Sequence, residues 1–205
     1  TGVWRKWIRV PEYYGVDVIM LCGDLTGKAL VPLVEQGDGS YKTDYYGKTE
    51  IIKSESEIKE MEERLASAGV YPFKCKPDEI PELKKNPGKV QQMFLQAIAD
   101  RMRKWLDLLV EKIDTKKVTT LVMPGNDDEF IVDEVIRSYE DRGVVWALDT
   151  VTNIAGFDTI SCPYVNPTPW ETPRECSEQE LKGKIEKLVG KLSNPRRSIF
   201  NFHCP

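Results

Sequence analysis

The stretch Val-Asp-Val-Ile-Met-Leu-Cys-Gly-Asp (residues 16–24) joins an apolar, β-branched run to a glycine and an acidic residue. Such a run is typical of a strand that is buried on both faces. Two later stretches repeat the arrangement: residues 118–123 lead into Pro-Gly-Asn-Asp-Asp (residues 124–128), and residues 198–202 lead into His203. The pattern predicts three strands, each followed by polar residues that are candidates for binding or catalysis.

Helical patterns separate these runs. A capping box of Ser177 and Glu180 opens an amphipathic stretch at residues 177–192, and residues 131–142 carry apolar side chains at helical spacing up to Gly143. Further predicted elements are a helix at 5–14 and strands at 144–148, 151–155 and 157–162. Strands that alternate with helices predict an α/β fold.

The segment from about Gly37 to Lys117 has a different character. Its pattern predicts a hairpin at 39–53, a charged helix at 54–68, an irregular, proline-containing stretch at 70–88 and a long amphipathic helix at 89–113. We therefore expect one domain over residues 1–205, with an insertion at about 38–88.

Composition limits the classes of protein to consider. The chain has 205 residues, of which 40% are hydrophobic, and a formal net charge of −4, which gives no general attraction for nucleic acid. No apolar run approaches the length of a membrane helix, and the opening residues do not follow a signal-peptide pattern. Five widely spaced cysteines argue against a disulfide framework and favour a cytoplasmic setting. The oligomeric state stays open.

The three strand ends hold the candidate site. In an open α/β sheet, ligands bind beyond the carboxyl ends of the strands, so Asp24, Asn126 and His203 are expected at one rim. Carboxylate, amide oxygen and imidazole together suit a divalent ion such as Mn, Fe or Zn. Each residue also has a structural interpretation: Asp24 and Asn126 have the composition of turns, and a lone histidine is more often a core residue.

These residues carry a family resemblance. Gly23-Asp-Leu-Thr-Gly27 resembles the GD motif of calcineurin-like metallophosphoesterases, and Gly125-Asn-Asp-Asp128 resembles their GNH(D/E) motif. His203, with a proline close behind it, resembles their isolated-histidine motif, and the three motifs stand in the family's order.

The resemblance implies a four-layer α-β-β-α sandwich and a two-metal centre that hydrolyses small phosphomonoesters or phosphodiesters. Two divalent ions (Mn, Fe, Zn or Ni) would clamp the phosphoryl group and activate water for in-line attack. Asp24 would bridge both ions, while Asn126 and His203 would bind the second.

The chain also departs from the family pattern. The DxH motif is expected just before Thr1 and the GHxH motif beyond Pro205, so the three ligands within residues 1–205 would hold at most one ion. Asp127 stands where the family usually has a histidine that positions the phosphate, a role that a protonated carboxyl could fill. Asp128 matches the acidic position of the motif, where orienting the loop is the expected role.

Two basic residues are candidate substrate contacts. Lys28 follows the GD motif, although a solvated surface lysine is the commoner case. Arg174 ends a proline-rich loop after the predicted strand at 157–162, and this loop either walls the active site or crosses the surface.

The alternative function is a non-catalytic scaffold of the same fold, like the retromer subunit, and it draws support from Asp127 and from the absent histidines. A third interpretation is an α/β domain of unrelated function.

Overall fold

The computed structural model of the chain describes residues 2–203, which form a mixed α/β structure. The chain divides into two compact units, one of residues Thr26–Asp100 and one of Trp4–Leu25 together with the residues from Arg101 onward. No helix within residues 2–203 combines the length and apolar character that crossing a membrane requires.

The first unit contains a four-stranded sheet in the order β4-β3-β2-β5. Its elements are β2 (Ala29–Glu35), β3 (Tyr41–Tyr45), β4 (Lys48–Ile52), α3 (Glu55–Ser67), β5 (Val70–Cys75), α4 (Glu79–Lys85) and the first half of α5 (Pro87–Lys112). The predicted hairpin, charged helix and long helix are confirmed. Strand β2 was not predicted.

The prediction of an irregular stretch at 70–88 is wrong. Val70–Cys75 forms an edge strand parallel to β2, and Glu79–Lys85 forms a helix. Pro72 is compatible with this strand because an edge position leaves one side of the backbone without a ladder partner. Apolar side chains of β2, β4, α3 and β5 form the core of this unit. The core residues are Val31, Leu33, Ile52, Ile58, Met61, Leu65 and Val70.

The second unit contains two three-stranded sheets, in the orders β1-β6-β7 and β10-β9-β8. Its strands are β1 (Val18–Cys22), β6 (Thr119–Met123), β7 (Val144–Val145), β8 (Val151–Ile154), β9 (Phe157–Cys162) and β10 (Ser198–Phe202). Its helices are α1 (Gly2–Ile8, from Trp4 on), α2 (Val10–Tyr14), the second half of α5, α6 (Ile131–Arg137) and α7 (Glu178–Val189), with short 3-10 turns at Glu140–Arg142 and Pro195–Arg197.

Strands β1, β6 and β10 confirm the three predicted runs, but they do not share one sheet. β1 pairs in parallel with β6, whereas β10 pairs in parallel with β9. The two sheets nevertheless share side-chain contacts, because Leu121 and Met123 of β6 pack in one cluster with Ile154 of β8. Asn201 of β10 also donates to Ser161 and to the Met123 sulfur.

Helix boundaries differ from the prediction at two places. The expected helix at 5–14 is two short helices, and the expected helix at 131–142 ends at Arg137 and resumes as a 3-10 turn. The capping box at Ser177 and Glu180 is confirmed, with each residue bonded to the other's backbone.

Candidate functional site

The turn after β1 has an unusual backbone. Gly23 has φ 107° and Asp24 has φ 52°, so both residues occupy the left-handed region, which costs free energy for a residue with a Cβ. A Cβ on Gly23 would lie 2.6 Å from the His203 ring carbon Cε1 and 2.7 Å from the Gly125 backbone. Only glycine therefore allows these three segments to approach so closely.

Asp128 joins this turn to the one that follows β6. Its side chain is fully buried and accepts hydrogen bonds from Leu25 N at 2.9 Å and 3.0 Å and from Gly125 N at 2.7 Å. A carboxylate that accepts hydrogen bonds from the backbone N–H groups of two turns holds those turns together. These bonds assign Asp128 to orienting the loops.

The ends of β1, β6 and β10 converge on one point. The Nε2 atom of His203 lies 3.2 Å from Asp24 Oδ1 and 3.0 Å from Asn126 Oδ1. A Cβ at Gly125 would lie 2.8 Å from the His203 ring and would also overlap Asp24. The three residues that the sequence singles out as metal ligands are thus direct neighbours.

The orientation of the His203 ring follows from its other nitrogen. Nδ1 lies 2.7 Å from the backbone oxygen of Cys22, which can only accept, so Nδ1 carries a proton and Nε2 faces Asp24 and Asn126. The hydrogen bond to Asp24 raises the pKa of His203, while burial acts in the opposite direction. A backbone carbonyl on Nδ1 is the usual device that presents Nε2 to a metal.

The donor set fits a divalent ion. Two ligands of one ion, each bound at about 2.0–2.2 Å, lie roughly 3–3.5 Å apart, which matches the two observed separations. Among the described residues, no group of three His, Cys, Asp or Glu side chains is arranged to hold a metal. The candidate set depends on the amide oxygen of Asn126 as its third donor.

Arg174 is not placed as a substrate contact. The residue is 1% exposed, and its guanidinium donates to Asp128 O, to Gly125 O at 3.3 Å and to the Asp133 carboxylate. It also covers the Phe130 ring, with 4.6 Å from the guanidinium carbon to the ring centroid. These contacts correct the expected role: Arg174 holds the loop that carries Asn126.

Two further residues of the proline-rich loop support the site, and the motifs did not indicate them. Asn126 Nδ2 donates to Thr172 Oγ1 at 2.8 Å, and Thr172 Oγ1 donates to Glu175 at 2.7 Å. A threonine and a glutamate beside prolines carry no local signal, because their role depends on where the loop lies. The only hint in the sequence is the position of the loop after a strand.

The remaining candidates are less defined. Asp127 is half-buried in the turn beside Asn126, and its role stays a prediction. Lys28 is exposed and belongs to the first compact unit, where its backbone N–H donates to Gly69 O at 2.8 Å. Its role as a substrate contact stays a prediction. The cysteine and the proline that follow His203 lie outside the described residues.

No family model, curated protein or solved structure matches the chain.

Proposed function

We propose that this chain forms the greater part of a calcineurin-like metallophosphoesterase domain, a four-layer α-β-β-α sandwich that hydrolyses small phosphoesters. One observation carries the proposal: Asp24, Asn126 and His203 come from three separate strand ends, and the side-chain oxygens of the first two lie within 3.2 Å of His203 Nε2. If Asp24 and Asn126 were only turn residues and His203 only a core residue, nothing would require the three side chains to meet.

The glycines give independent support. Gly23 and Gly125 lie where a Cβ would overlap the His203 ring or the Asp24 side chain. Asp24 also holds a left-handed backbone. Asp149, outside the site, has a similar φ of 58°, so the support comes from the glycine contacts and not from the backbone of Asp24.

Each residue has a defined task in the proposed site. Divalent ions, when bound, supply Lewis acidity toward the phosphoryl group and a nucleophilic water. Asp24, with a side chain that is 53% exposed, directs its carboxylate partly toward solvent, from which a substrate approaches. His203, with a side chain 11% exposed, would bind the ion from the buried side of the site through Nε2, and Asn126 would bind it through Oδ1.

Asp127 is the proposed phosphate contact. It follows Asn126 directly and occupies the position at which the resembled family has histidine. A carboxyl group at this position can bond a phosphate oxygen only by donating a hydrogen bond.

The test compares Asp24→Asn with Asp149→Asn. Both aspartates are exposed and have positive φ, 52° and 58°, but Asp149 lies outside the site. The assay uses the protein together with the DxH and GHxH motifs that the proposal expects outside residues 1–205. We expect it to bind Mn²⁺ in calorimetry and to hydrolyse bis-p-nitrophenyl phosphate with Mn²⁺ present. Asp24→Asn should lose most of the Mn²⁺ binding and most of the hydrolysis, and Asp149→Asn should keep both. Equal hydrolysis by both variants would rule out the assignment of Asp24.

The second candidate is a non-catalytic scaffold of the same fold, favoured by Asp127 at the position of a catalytic histidine. It predicts no metal-dependent hydrolysis in wild type. It also predicts that an Asp127→His substitution restores none.

A further inference from the structure

The carboxylate of Glu175 is surrounded by hydrogen-bond donors. It accepts from Thr168 N at 2.8 Å, from Thr172 N at 2.8 Å and from the hydroxyls of both threonines. These hydrogen bonds lower the pKa of Glu175 to about 2, and those from Thr168 have the largest effect. Glu175 is therefore ionised at neutral pH and can only accept hydrogen bonds.

This acceptor determines the direction of the next hydrogen bond. The Thr172 hydroxyl has a single proton, and it donates that proton to Glu175 at 2.7 Å. Its oxygen can then only accept from Asn126, which lies 2.8 Å away through Nδ2. The amide nitrogen of Asn126 must face Thr172, so the amide oxygen faces His203 Nε2 at 3.0 Å.

We infer that Glu175 and Thr172 are positioning residues that select the amide orientation of Asn126, so that its oxygen and not its NH₂ group faces the ion. This inference rests on the proposed function only for its metal part. The orientation of the amide is a property of the chain alone.

The opposite orientation would be costly at a metal site. A flipped amide would turn its NH₂ group, which offers no lone pair to a metal, toward the cation in place of the carbonyl oxygen. The isolated asparagine has no preference for either orientation, since its oxygen and nitrogen have nearly the same shape. The preference therefore comes from the neighbouring chain.

The backbone of the loop supports the same arrangement. Arg174 N donates to Asn126 O at 3.0 Å. Arg174 is adjacent to Glu175 in the chain and two positions after Thr172. Val165 N donates to Arg174 O, and Cys176 N donates to Val165 O. The loop is thus anchored at Arg174 and Cys176, which keeps the nearby Thr172 hydroxyl within reach of Asn126.

The test uses Thr172→Val, which keeps the shape of the side chain but removes the hydroxyl, and Thr172→Ser, which restores the hydroxyl. Thr152→Val, at a half-buried position of β8, is the matched control for a threonine-to-valine change. Hydrogen exchange of the Asn126 side-chain amide is measured by NMR without metal. We expect exchange several-fold faster in Thr172→Val, and wild-type exchange in Thr172→Ser and Thr152→Val.

Calorimetric titration with Mn²⁺ provides the second readout. Loss of a residue that orients a ligand typically weakens metal affinity about tenfold to hundredfold, and we expect this range for Thr172→Val, with near wild-type affinity for Thr172→Ser. Wild-type exchange and affinity in Thr172→Val would overturn the inference. If wild type itself binds no metal, the proposed function fails, and the amide exchange alone decides whether Thr172 orients Asn126.

Discussion

Two arginine–carboxylate pairs in this chain have the same chemistry but different surroundings. In the first compact unit, Arg64 pairs with Glu50, and their side chains are 57% and 41% exposed. In the second, Arg174 pairs with Asp133, and their side chains are 2% and 20% exposed. Arg64 makes a bond that water can replace, whereas Arg174 also bonds two backbone carbonyls of the Asn126 loop.

The difference shows where charge supports the candidate site. An exposed ion pair gains little because water solvates both groups and salt screens them. When a buried guanidinium is removed, its acceptors lose their hydrogen bonds in a place that water does not reach, and this costs free energy. Loop geometry near Asn126 therefore depends on Arg174, and nothing comparable depends on Arg64.

The largest expected effect comes from Arg174→Met. The variant removes the charged partner of the Asp133 carboxylate and one donor from each of two backbone carbonyls, so the free energy of unfolding should fall by about 3–5 kcal/mol. Urea unfolding followed by circular dichroism measures this loss. Arg174→Lys keeps the charge but not the planar set of donors, and its loss should be intermediate. A loss below about 1 kcal/mol in the methionine variant would contradict the assigned role.

Gly125→Ala is expected to have the next largest effect. The added methyl group would overlap Asp24 and lie 2.8 Å from the His203 ring, so the strand ends must separate. Overpacking of this kind costs about 1–3 kcal/mol, and metal affinity should fall with it.

Gly183→Ala is the matched control, since a Cβ there meets nothing within 4 Å in the middle of α7. It should stabilise the chain by about 0.5–1 kcal/mol. Equal stability of the two alanine variants would show that the contacts at Gly125 are not tight.

A smaller, pH-dependent effect is expected from Glu175→Gln. Hydrogen bonds from Thr168 and Thr172 lower the pKa of Glu175 to about 2, against about 4.3 in an unfolded chain. For a carboxyl with a lowered pKa, the stabilisation is complete above the unfolded pKa and is lost as pH falls toward the folded pKa.

Wild type should therefore be more stable than Glu175→Gln at pH 6, and the two should converge between about pH 4.3 and pH 2. Urea unfolding at a series of pH values measures the difference. A difference that does not change across this range would exclude ionised Glu175 as its source.

The smallest effect is expected from Arg64→Met. Its partner Glu50 stays solvated when the guanidinium is removed, so the unfolding curve should nearly overlie that of wild type. Any small change should disappear in high salt, because exposed charges are screened. A loss as large as that of Arg174→Met would remove the distinction between the two pairs.

Much of the local structure could be predicted from sequence. Apolar β-branched runs predict β1, β6 and β10, and Ser177 with Glu180 predicts the start of α7, because both signals arise from neighbouring residues. The prediction of irregular structure at 70–88 fails because prolines favour irregular structure locally, whereas an edge strand accepts them.

The candidate site was predictable only in part. Gly23-Asp24, Gly125-Asn126 and His203 could be identified because each follows a buried strand, although they were expected at the rim of one sheet and lie at the ends of strands from two. Thr172 and Glu175 could not be identified, since a loop residue more than 40 positions from Asn126 gives no signal of its contact.

The sequence by itself therefore determined the strands, their polar ends and the glycines that allow a close approach, because these depend on residue type and spacing. The tertiary structure decided that Arg174 is buried and that Thr172 faces Asn126. Such contacts join segments distant in the chain, and the same loop sequence on a solvent-exposed surface would leave both side chains to water.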